Sequence, residues 1–302
     1  MSLLTNTNNI IKAIKDGDRN EVNKLCNQGR GMNGADKSGH TPLFHAAFRG
    51  DAYHVSFFLK RGALTEVKDR KGYGALHAAV HRGCMDIVKL LLDGGSDIDS
   101  ETNTKMTPLH VSLYGDKDMI KLLLDRGANK DHKDIEGYAP LHKAMCEGDE
   151  DLAKLLLDHG ADKEIKDNGG NTPLHMAVSE GDEDLVELLL DHGVDKEIKD
   201  NGGNTPLHMA VSAGNEGLVE LLLDRGSDVS SKNNRDMTPL TLAAANGHRD
   251  IVRLLEKVKS TKPVDCNQTC DVAVPDLSKE QRARELKKQI EKCQKQLALL
   301  KM

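Results

Sequence analysis

The sequence predicts an all-α solenoid, a stack of short helical repeats, and two observations carry that prediction. The first is a duplication: residues 163–193 recur as residues 196–226 with only four changes in 31 positions. The second is a period of 33, 33, 32, 33, 33 and 33 residues between the leucines of a recurring Thr-Pro-Leu-His box. These are Leu43, Leu76, Leu109, Leu141, Leu174, Leu207 and Leu240. A period of this size indicates stacked units that bury their apolar faces on one another.

The first repeat, residues 7–35, lacks the box and is predicted to close one end of the stack. Apolar residues at 10, 11, 13 and 14 predict a short helix that Gly17 breaks. Val22 and Leu25 predict a second helix, which ends at Gly29. Its outer positions are polar, as the terminal repeat of a solenoid requires.

The second repeat shows the pattern that the others follow. Thr41 is a suitable N-cap, and Pro42 fits the first helical position, where a missing N–H costs nothing. Gly50 closes the first helix. The second helix carries an apolar stripe and ends at Gly62, as a left-handed C-terminal glycine would end it.

Three repeats depart from this pattern. Gly74-Ala75 replaces Thr-Pro in the third repeat, which we expect to be less stable by about 1 kcal/mol through the lost cap. The fourth repeat is one residue short at the end of its first helix, next to Tyr114. The fifth has Ala139 in place of the capping threonine.

The array is predicted to span residues 1–259, because the last helix of the eighth repeat ends without a glycine. A linker follows at 260–277, with Pro263 and Pro275. Residues 278–302 predict a basic amphipathic helix with apolar residues at spacings of 4, 3, 4 and 3. That seam covers about two and a half heptads, shorter than the three or four that indicate a coiled coil.

The period and the Thr-Pro-Leu-His-x-Ala box resemble the ankyrin repeat family over about residues 7–259, as about eight repeats. The resemblance implies an ankyrin-repeat solenoid of helix–turn–helix units with projecting β-hairpin fingers. It also implies a protein-binding scaffold that is not an enzyme. The box histidines would then be structural, bonded near the helix start and the neighbouring hairpin: His77, His110, His142, His175 and His208. The N-terminus has no signal-peptide pattern and the cysteines suit reduced thiols, so we expect a cytoplasmic protein, or a nuclear one.

The residues offer no catalytic pattern of their own. No nucleophile–base arrangement, Walker loop or His-Glu-x-x-His motif occurs. The glycine-rich stretches at 168–171 and 201–204 are typical of hairpin tips. We therefore expect no catalytic residue, no metal ion and no cofactor.

A partner-binding surface is predicted in repeats two to five. All eight aromatic residues lie between Phe44 and Tyr138, and several occupy finger tips or the last turn of a first helix. Tyr, Phe, Met and Arg are enriched at protein interfaces. The predicted surface comprises Phe48, Arg49, Arg70, Tyr73, His81, Arg82, Met106, Tyr114, Ile135 and Tyr138, with His40 and Lys71 beside them. An equal alternative is that older repeats drifted while the recent duplicates did not.

Charge suggests roles for the C-terminal segment. Residues 146–200 carry 17 acidic and 5 basic side chains, whereas residues 278–302 carry 8 basic and 3 acidic ones. The segment could fold back on the acidic repeats, dimerise, bind an anionic membrane surface or stay solvated. The overall net charge of −6 argues against nucleic-acid binding, and a membrane partner is not expected.

The chain has six cysteines, and none of them forms a Cys-x-x-Cys pair. Reduced thiols are therefore the simpler interpretation. Cys266, Cys270 and Cys293 leave open an enzymatic alternative in the C-terminal segment. The main prediction is a non-catalytic scaffold or adaptor that binds a protein of unknown identity on its concave face and finger tips. The alternative is a self-assembling adaptor in which residues 278–302 form a homodimer or regulate binding.

Overall fold

The structure is a computed structural model that describes residues 3–28 and 31–261. Those residues form eight pairs of helices and contain no strand. The pairs are α1 (Leu3–Asp16) and α2 (Arg19–Asn27), α3 (Pro42–Arg49) and α4 (Ala52–Lys60), α5 (Ala75–His81) and α6 (Met85–Asp93), α7 (Pro108–Ser112) and α8 (Lys117–Asp125), α9 (Pro140–Glu147) and α10 (Glu150–Asp158), α11 (Pro173–Glu180) and α12 (Glu183–Asp191), α13 (Pro206–Ala213) and α14 (Glu216–Asp224), and α15 (Pro239–Asn246) and α16 (Arg249–Thr261).

Each pair is one repeat, numbered one to eight, and the first helix of a pair is its inner helix. Residues Met1–Lys257 form one compact unit. The box leucines from Leu43 to Leu207 are almost fully buried, as are an alanine of each inner helix (Ser112 in repeat four) and apolar residues of the second helix. Inner helices pack on the next inner helix, so the core is a continuous row along the stack. The all-α solenoid is confirmed.

Repeat four interrupts the close packing of neighbouring repeats. Helix α7 has five residues, where α9, α11 and α13 have eight, as the missing residue predicts. Its C-cap residue Leu113 has a φ of −60°, whereas α9 ends at Gly148 in the left-handed region. Inner helices pack closely from α1 to α7 and from α9 to α15, but α7 approaches α9 closely at few residues.

The projecting fingers are tight turns closed by one side chain, which is aspartate in most repeats, Thr102 in repeat four and Asn233 in repeat eight. In repeat three, Asp69 N–H donates to the Tyr73 carbonyl at 2.9 Å, and Gly72 N–H donates to the Asp69 carbonyl at 3.0 Å. Asp69 Oδ1 accepts from the N–H groups of Lys71 and Tyr73, both at 2.8 Å. The side chain thus holds the turn where a longer hairpin would use paired strands.

The two ends of the array differ from the internal repeats. Helix α1 begins at Leu3, ahead of the residue-7 start predicted for repeat one. Helix α16 has 13 residues, against 9 in α14, in keeping with the absence of a terminating glycine. The predicted linker and helix at 260–277 and 278–302 lie outside the described residues, apart from the last two residues of α16. No helix among the described residues is both long and apolar enough to span a membrane.

Candidate functional site

The box histidines are part of the frame. All five side chains are buried. In repeat six, His175 Nδ1 accepts from Thr172 N–H at 3.2 Å, so Nε2 carries the proton and donates to the Asn204 carbonyl of the next finger at 3.1 Å. The other four make the same pair of bonds. Burial lowers the pKa of all five imidazoles, while the bond to a carbonyl opposes that shift. Each histidine therefore joins its helix start to the following repeat as a neutral ring.

The capping threonines divide into two groups. Where a box histidine is present, as at Thr172, the threonine hydroxyl lies 2.8 Å from the histidine Nδ1. Where it is absent, as at Thr41, the hydroxyl accepts from the backbone N–H of Phe44 at 3.1 Å. Gly74 has no hydroxyl, but its N–H still donates to His77 at 3.2 Å. The lower stability predicted for repeat three stays a prediction.

All ten residues predicted to contact a partner are at least partly exposed. Phe48, Tyr114 and Ile135 have 42%, 66% and 57% of their surface exposed. They are three of only five large apolar side chains exposed in the described part of the chain, and none of the five lies in repeats six to eight. The other seven, Arg49, Arg70, Tyr73, His81, Arg82, Met106 and Tyr138, are exposed or half-buried. We call these ten residues the repeat two–five surface.

Four of the ten residues line one recess. It has a volume of about 340 Å³, and its walls include Tyr73, His81, Met106 and Tyr114. The recess lies beside the truncated end of α7, and Gly115 is part of its wall. The recess therefore lies at the shortened end of α7, and aromatic and histidine side chains border it.

Arg82 and Tyr138, two of the remaining members, each take part in a cation–π contact. Arg82 stands over the ring of Phe48, with its guanidinium carbon 5.4 Å from the ring centre. Lys143 covers Tyr138 at 4.4 Å, so Tyr138 is half-buried and lies apart from the recess. Arg49 is exposed at the end of α3. Tyr138 is thus not among the residues that line the recess, whereas Tyr73, His81, Met106 and Tyr114 are.

The finger tips show what Arg70 and Ile135 replace. In four other repeats the equivalent tip residue is asparagine, and its side-chain amide donates to the backbone carbonyl of the preceding tip. The bonds run from Asn103 to Arg70, Asn168 to Ile135, Asn201 to Asn168 and Asn234 to Asn201, at 2.9 to 3.2 Å. At Arg70 and Ile135 the side chain is exposed. These two repeats give up a structural bond and present a large side chain.

Charge also changes sign along the inner helices. The last residue before the turn is Arg49 in repeat two and the equivalent residue is Arg82 in repeat three, but it is Glu147 in repeat five and Glu180 in repeat six. All four side chains are exposed. The repeat two–five surface therefore has a basic N-terminal part, with repeat four at the boundary.

A larger recess, of about 460 Å³, lies between repeats seven and eight. Its walls include Asp200, Asn204, Asn233 and Arg235. Asp200 and Asn204 bond to each other within one finger, and Asn233 donates to Asn204 at 2.9 Å. Asp200, Asn204 and Asn233 thus already bond to one another, so size alone does not make this recess a binding site.

One group of side chains in repeat two has donors suited to a metal ion. Asp36, His40 and His45 place one carboxylate oxygen and two ring nitrogens within 4.8 Å of one another. Sequence reasoning put His40 on the contact surface but did not connect it with Asp36 and His45. The signal was the spacing Asp-x3-His-x4-His, which is not a common zinc motif.

Known proteins with the same repeat architecture resemble this chain. A family model described as "Ankyrin repeats (3 copies)" matches six overlapping stretches, 10–102, 52–134, 76–167, 114–200, 141–233 and 192–270. Together these matches span residues 10 to 270, most of the chain.

Two curated relatives illustrate the similarity. Human "Ankyrin repeat and SOCS box protein 3" is 31% identical over 100 residues, which are 32% of this chain and 19% of that protein. A "Putative ankyrin repeat protein" of Rickettsia felis is 30% identical over 114 residues, 37% of each chain. The alignments thus span well under half the length of these relatives.

A solved structure resembles the array more completely. The crystal structure of the ankyrin repeat domain of Bcl-3, "a unique member of the IkappaB protein family", superposes with a TM-score of 0.66 at 28% identity. The alignment covers 72% of this chain and all of that one.

Proposed function

The chain belongs to the ankyrin repeat family, and from that premise we propose that it is a non-catalytic scaffold that binds another protein through the repeat two–five surface. Ankyrin repeats in general mediate protein–protein interaction. The partner would lie along the inner helices and finger tips, on the concave face that the family resemblance implies.

The observation that carries this proposal is the distribution of exposed large apolar side chains. Phe48, Tyr114 and Ile135 are exposed, and the same positions in repeat seven are Ser212 at the helix end and Asn201 at the finger tip. Exposed apolar side chains near a recess and rimmed by arginine are typical of interface centres. The partner segment is expected to offer apolar side chains to the recess and acidic ones to Arg49 and Arg82.

Site-specific photocross-linking tests this proposal. A benzophenone amino acid replaces Tyr114 in one version of the chain and Ser212, at the equivalent position of repeat seven, in a matched control. Irradiation in extracts of the cells that produce the protein is expected to give a discrete cross-linked product from position 114 and none from position 212. Equal products at both positions would contradict the proposed surface.

A self-assembling adaptor is the second candidate. It rests on charge: residues 278–302 carry 8 basic and 3 acidic side chains, and residues 146–200 carry 17 acidic and 5 basic ones. Residues 278–302 would form a homodimer or fold back over the acidic repeats. Light scattering of the full chain and of residues 1–262 over a tenfold concentration range decides between these. Dimerisation predicts that only the full chain doubles its mass, and fold-back predicts a monomer whose partner affinity rises on truncation.

A further inference from the structure

Repeat two carries histidines that the repeat frame does not use. At the box histidine position it has Phe44, and the histidine lies one residue later, at His45. In repeats three, six and seven the residue at that later position is alanine or methionine. His40 likewise occupies a finger position that is tyrosine, methionine or asparagine in the other repeats. Neither histidine makes the carbonyl bond to the next finger that defines the structural histidines.

The two imidazoles converge on one carboxylate. Asp36 Oδ2 lies 2.9 Å from His45 Nε2 and 3.8 Å from His40 Nδ1. Two donors bound to a tetrahedral zinc ion at about 2.1 Å lie about 3.4 Å from each other. The two observed separations bracket that value, so small side-chain movements would complete a coordination sphere.

A second carboxylate orients one of the rings. Asp69 Oδ2, from the next finger, lies 3.3 Å from His40 Nε2. A proton held on Nε2 by that carboxylate leaves Nδ1 with its lone pair towards Asp36. Metal-binding histidines commonly donate their other ring N–H to a carboxylate in this way.

The donors are also fixed in place. Asp36 Oδ1 accepts from the N–H groups of Ser38 and His40 at 2.9 and 3.0 Å, which leaves Oδ2 to face the rings. The His40 ring stacks on Phe44, with ring centres 4.1 Å apart. Side-chain exposure is 27% for His40, 20% for Asp36 and 13% for His45, so the group is sheltered but open to solvent.

Repeat five shows the structural alternative at the same positions. There Lys143 Nζ lies 3.2 Å from Asp134 Oδ2, an ion pair between the residues equivalent to His45 and Asp36. A lysine offers no lone pair to a metal ion. Repeat two replaces it by an imidazole and adds a second imidazole, which together with the carboxylate makes a set of three donors. Lys15 is the nearby positive charge that opposes a cation here, and Asp36 and Asp69 together outweigh it.

We propose that Asp36, His40 and His45 bind a divalent transition-metal ion, with zinc as the ion best suited to two nitrogens and one oxygen. Asp69 acts as the positioning residue for His40. Three protein donors leave a fourth position for water or for a donor from a bound protein. The stack of Phe48 on Phe44, at 6.4 Å, places this site next to the repeat two–five surface.

Calorimetric titration of the metal-stripped full chain with zinc chloride tests the site. We expect one saturable site that binds zinc at micromolar concentrations or tighter. His45→Gln is expected to weaken that binding at least tenfold. His159→Gln is the matched control, because His159 also pairs with an aspartate, Asp125, at 3.3 Å but has no second histidine. It should leave zinc binding unchanged.

Three further variants separate the site from other donors. Asp69→Asn is expected to weaken binding about 10-fold or more, as losses of orienting carboxylates do. Asp167→Asn, at the same finger position in repeat six, should not. A Cys266→Ser, Cys270→Ser chain should bind zinc as the wild type does.

Circular dichroism of each variant confirms that the helices are retained, so that a loss of binding reports the site. The proposal is overturned if the wild type shows no saturable binding, or if His45→Gln and His159→Gln bind alike. It is also overturned if binding disappears in the cysteine variant.

Discussion

Repeats two to five and repeats six and seven use several of the same positions differently. In repeats six and seven the finger-tip asparagines Asn168 and Asn201 bond to the preceding tip, and the inner helices end in serine followed by glutamate or alanine. In the earlier repeats the equivalent positions include Arg70, Ile135 and Arg82, whose side chains are exposed. The frame is common to both regions.

The difference separates residues that hold the stack from residues that are free to bind. At each of these positions the duplicated repeats show a residue that suits the stack. A different residue at the same position of another repeat needs another explanation. Ile135 gives up a hydrogen bond and exposes 57% of an apolar side chain to water. We propose that such departures serve partner binding.

The largest expected effect concerns the shared frame and is a loss of stability in acid. Burial holds the pKa of the five box histidines below the ordinary value of about 6.5, so the unfolded chain binds more protons between the two values. Stability is therefore complete above about pH 6.5 and falls as the pH drops below it. A difference of one bound proton changes the free energy of unfolding by about 1.4 kcal/mol per pH unit, and several histidines together should change it by more.

Urea unfolding at pH 7.5, 6.5 and 5.5 measures this loss. An unfolding midpoint that stays constant from pH 7.5 to 5.5 would show that the box histidines are not held neutral by the fold.

The second effect concerns repeat four. Insertion of one alanine after Leu113 is expected to lengthen α7 to the usual helix and to bring Gly115 to the left-handed cap position. We expect a gain of about 1 kcal/mol from the completed helix end and closer packing on α9. The recess beside Tyr114 should close, so partner affinity should fall while stability rises.

The reciprocal change is deletion of Ser212 from α13, which should shorten that helix and lower stability. Thermal and urea unfolding report both variants. A loss of stability on insertion would contradict the expected gain, because the short α7 would then pack better on its neighbours than the longer helix.

A smaller effect is expected at the finger tips. Ile135→Asn should restore the amide bond to the preceding tip and raise stability by about 0.5 to 1 kcal/mol. Asn168→Ile, the reverse change in repeat six, should lower it by a similar amount. Equal destabilisation by both changes would indicate that Ile135 packs in the stack and is not reserved for a partner.

The smallest effect separates the two duplicated repeats. Arg225 donates to Asp191 at 2.9 Å and to Glu187, whereas repeat six has His192 at the same position. Exposed ion pairs contribute at most about 1 kcal/mol, and less in salt. Arg225→His should shift the unfolding midpoint slightly at low ionic strength and not measurably in 0.5 M salt. A large shift in salt would mean that Arg225 packs rather than pairs.

Most of the fold could be predicted because each element has a local cause that recurs. The period located the helix pairs, and the count of residues between Leu109 and Gly115 located the short α7. The structural role of the box histidines followed from the family resemblance. Gly203 has φ +75°, and a Cβ there would collide with Asn234, which explains why a tip glycine recurs.

The candidate sites were harder to predict because they depend on contacts between repeats. The recess beside Tyr114 uses Val80 and Val111, which look like core residues in the sequence. The cluster in repeat two brings Asp69 of one finger against His40 of another, 29 residues earlier. A repeat alignment would expose both histidines as departures, but only the folded chain shows that they converge on one carboxylate.

The central claim is that repeats two to five, and not repeats six and seven, hold the partner. Once photocross-linking has identified the partner, calorimetric titration of that protein with two matched variants tests the claim. One combines Phe48→Ala, Arg82→Ala and Tyr114→Ser, and the other combines Ser179→Ala, Glu180→Ala and Ser212→Ala. The first should weaken binding at least about 100-fold, because interface aromatics and arginines each contribute about 1 to 2 kcal/mol or more, and the second by less than about threefold. Equal losses, or a greater loss in the second variant, would contradict the claim.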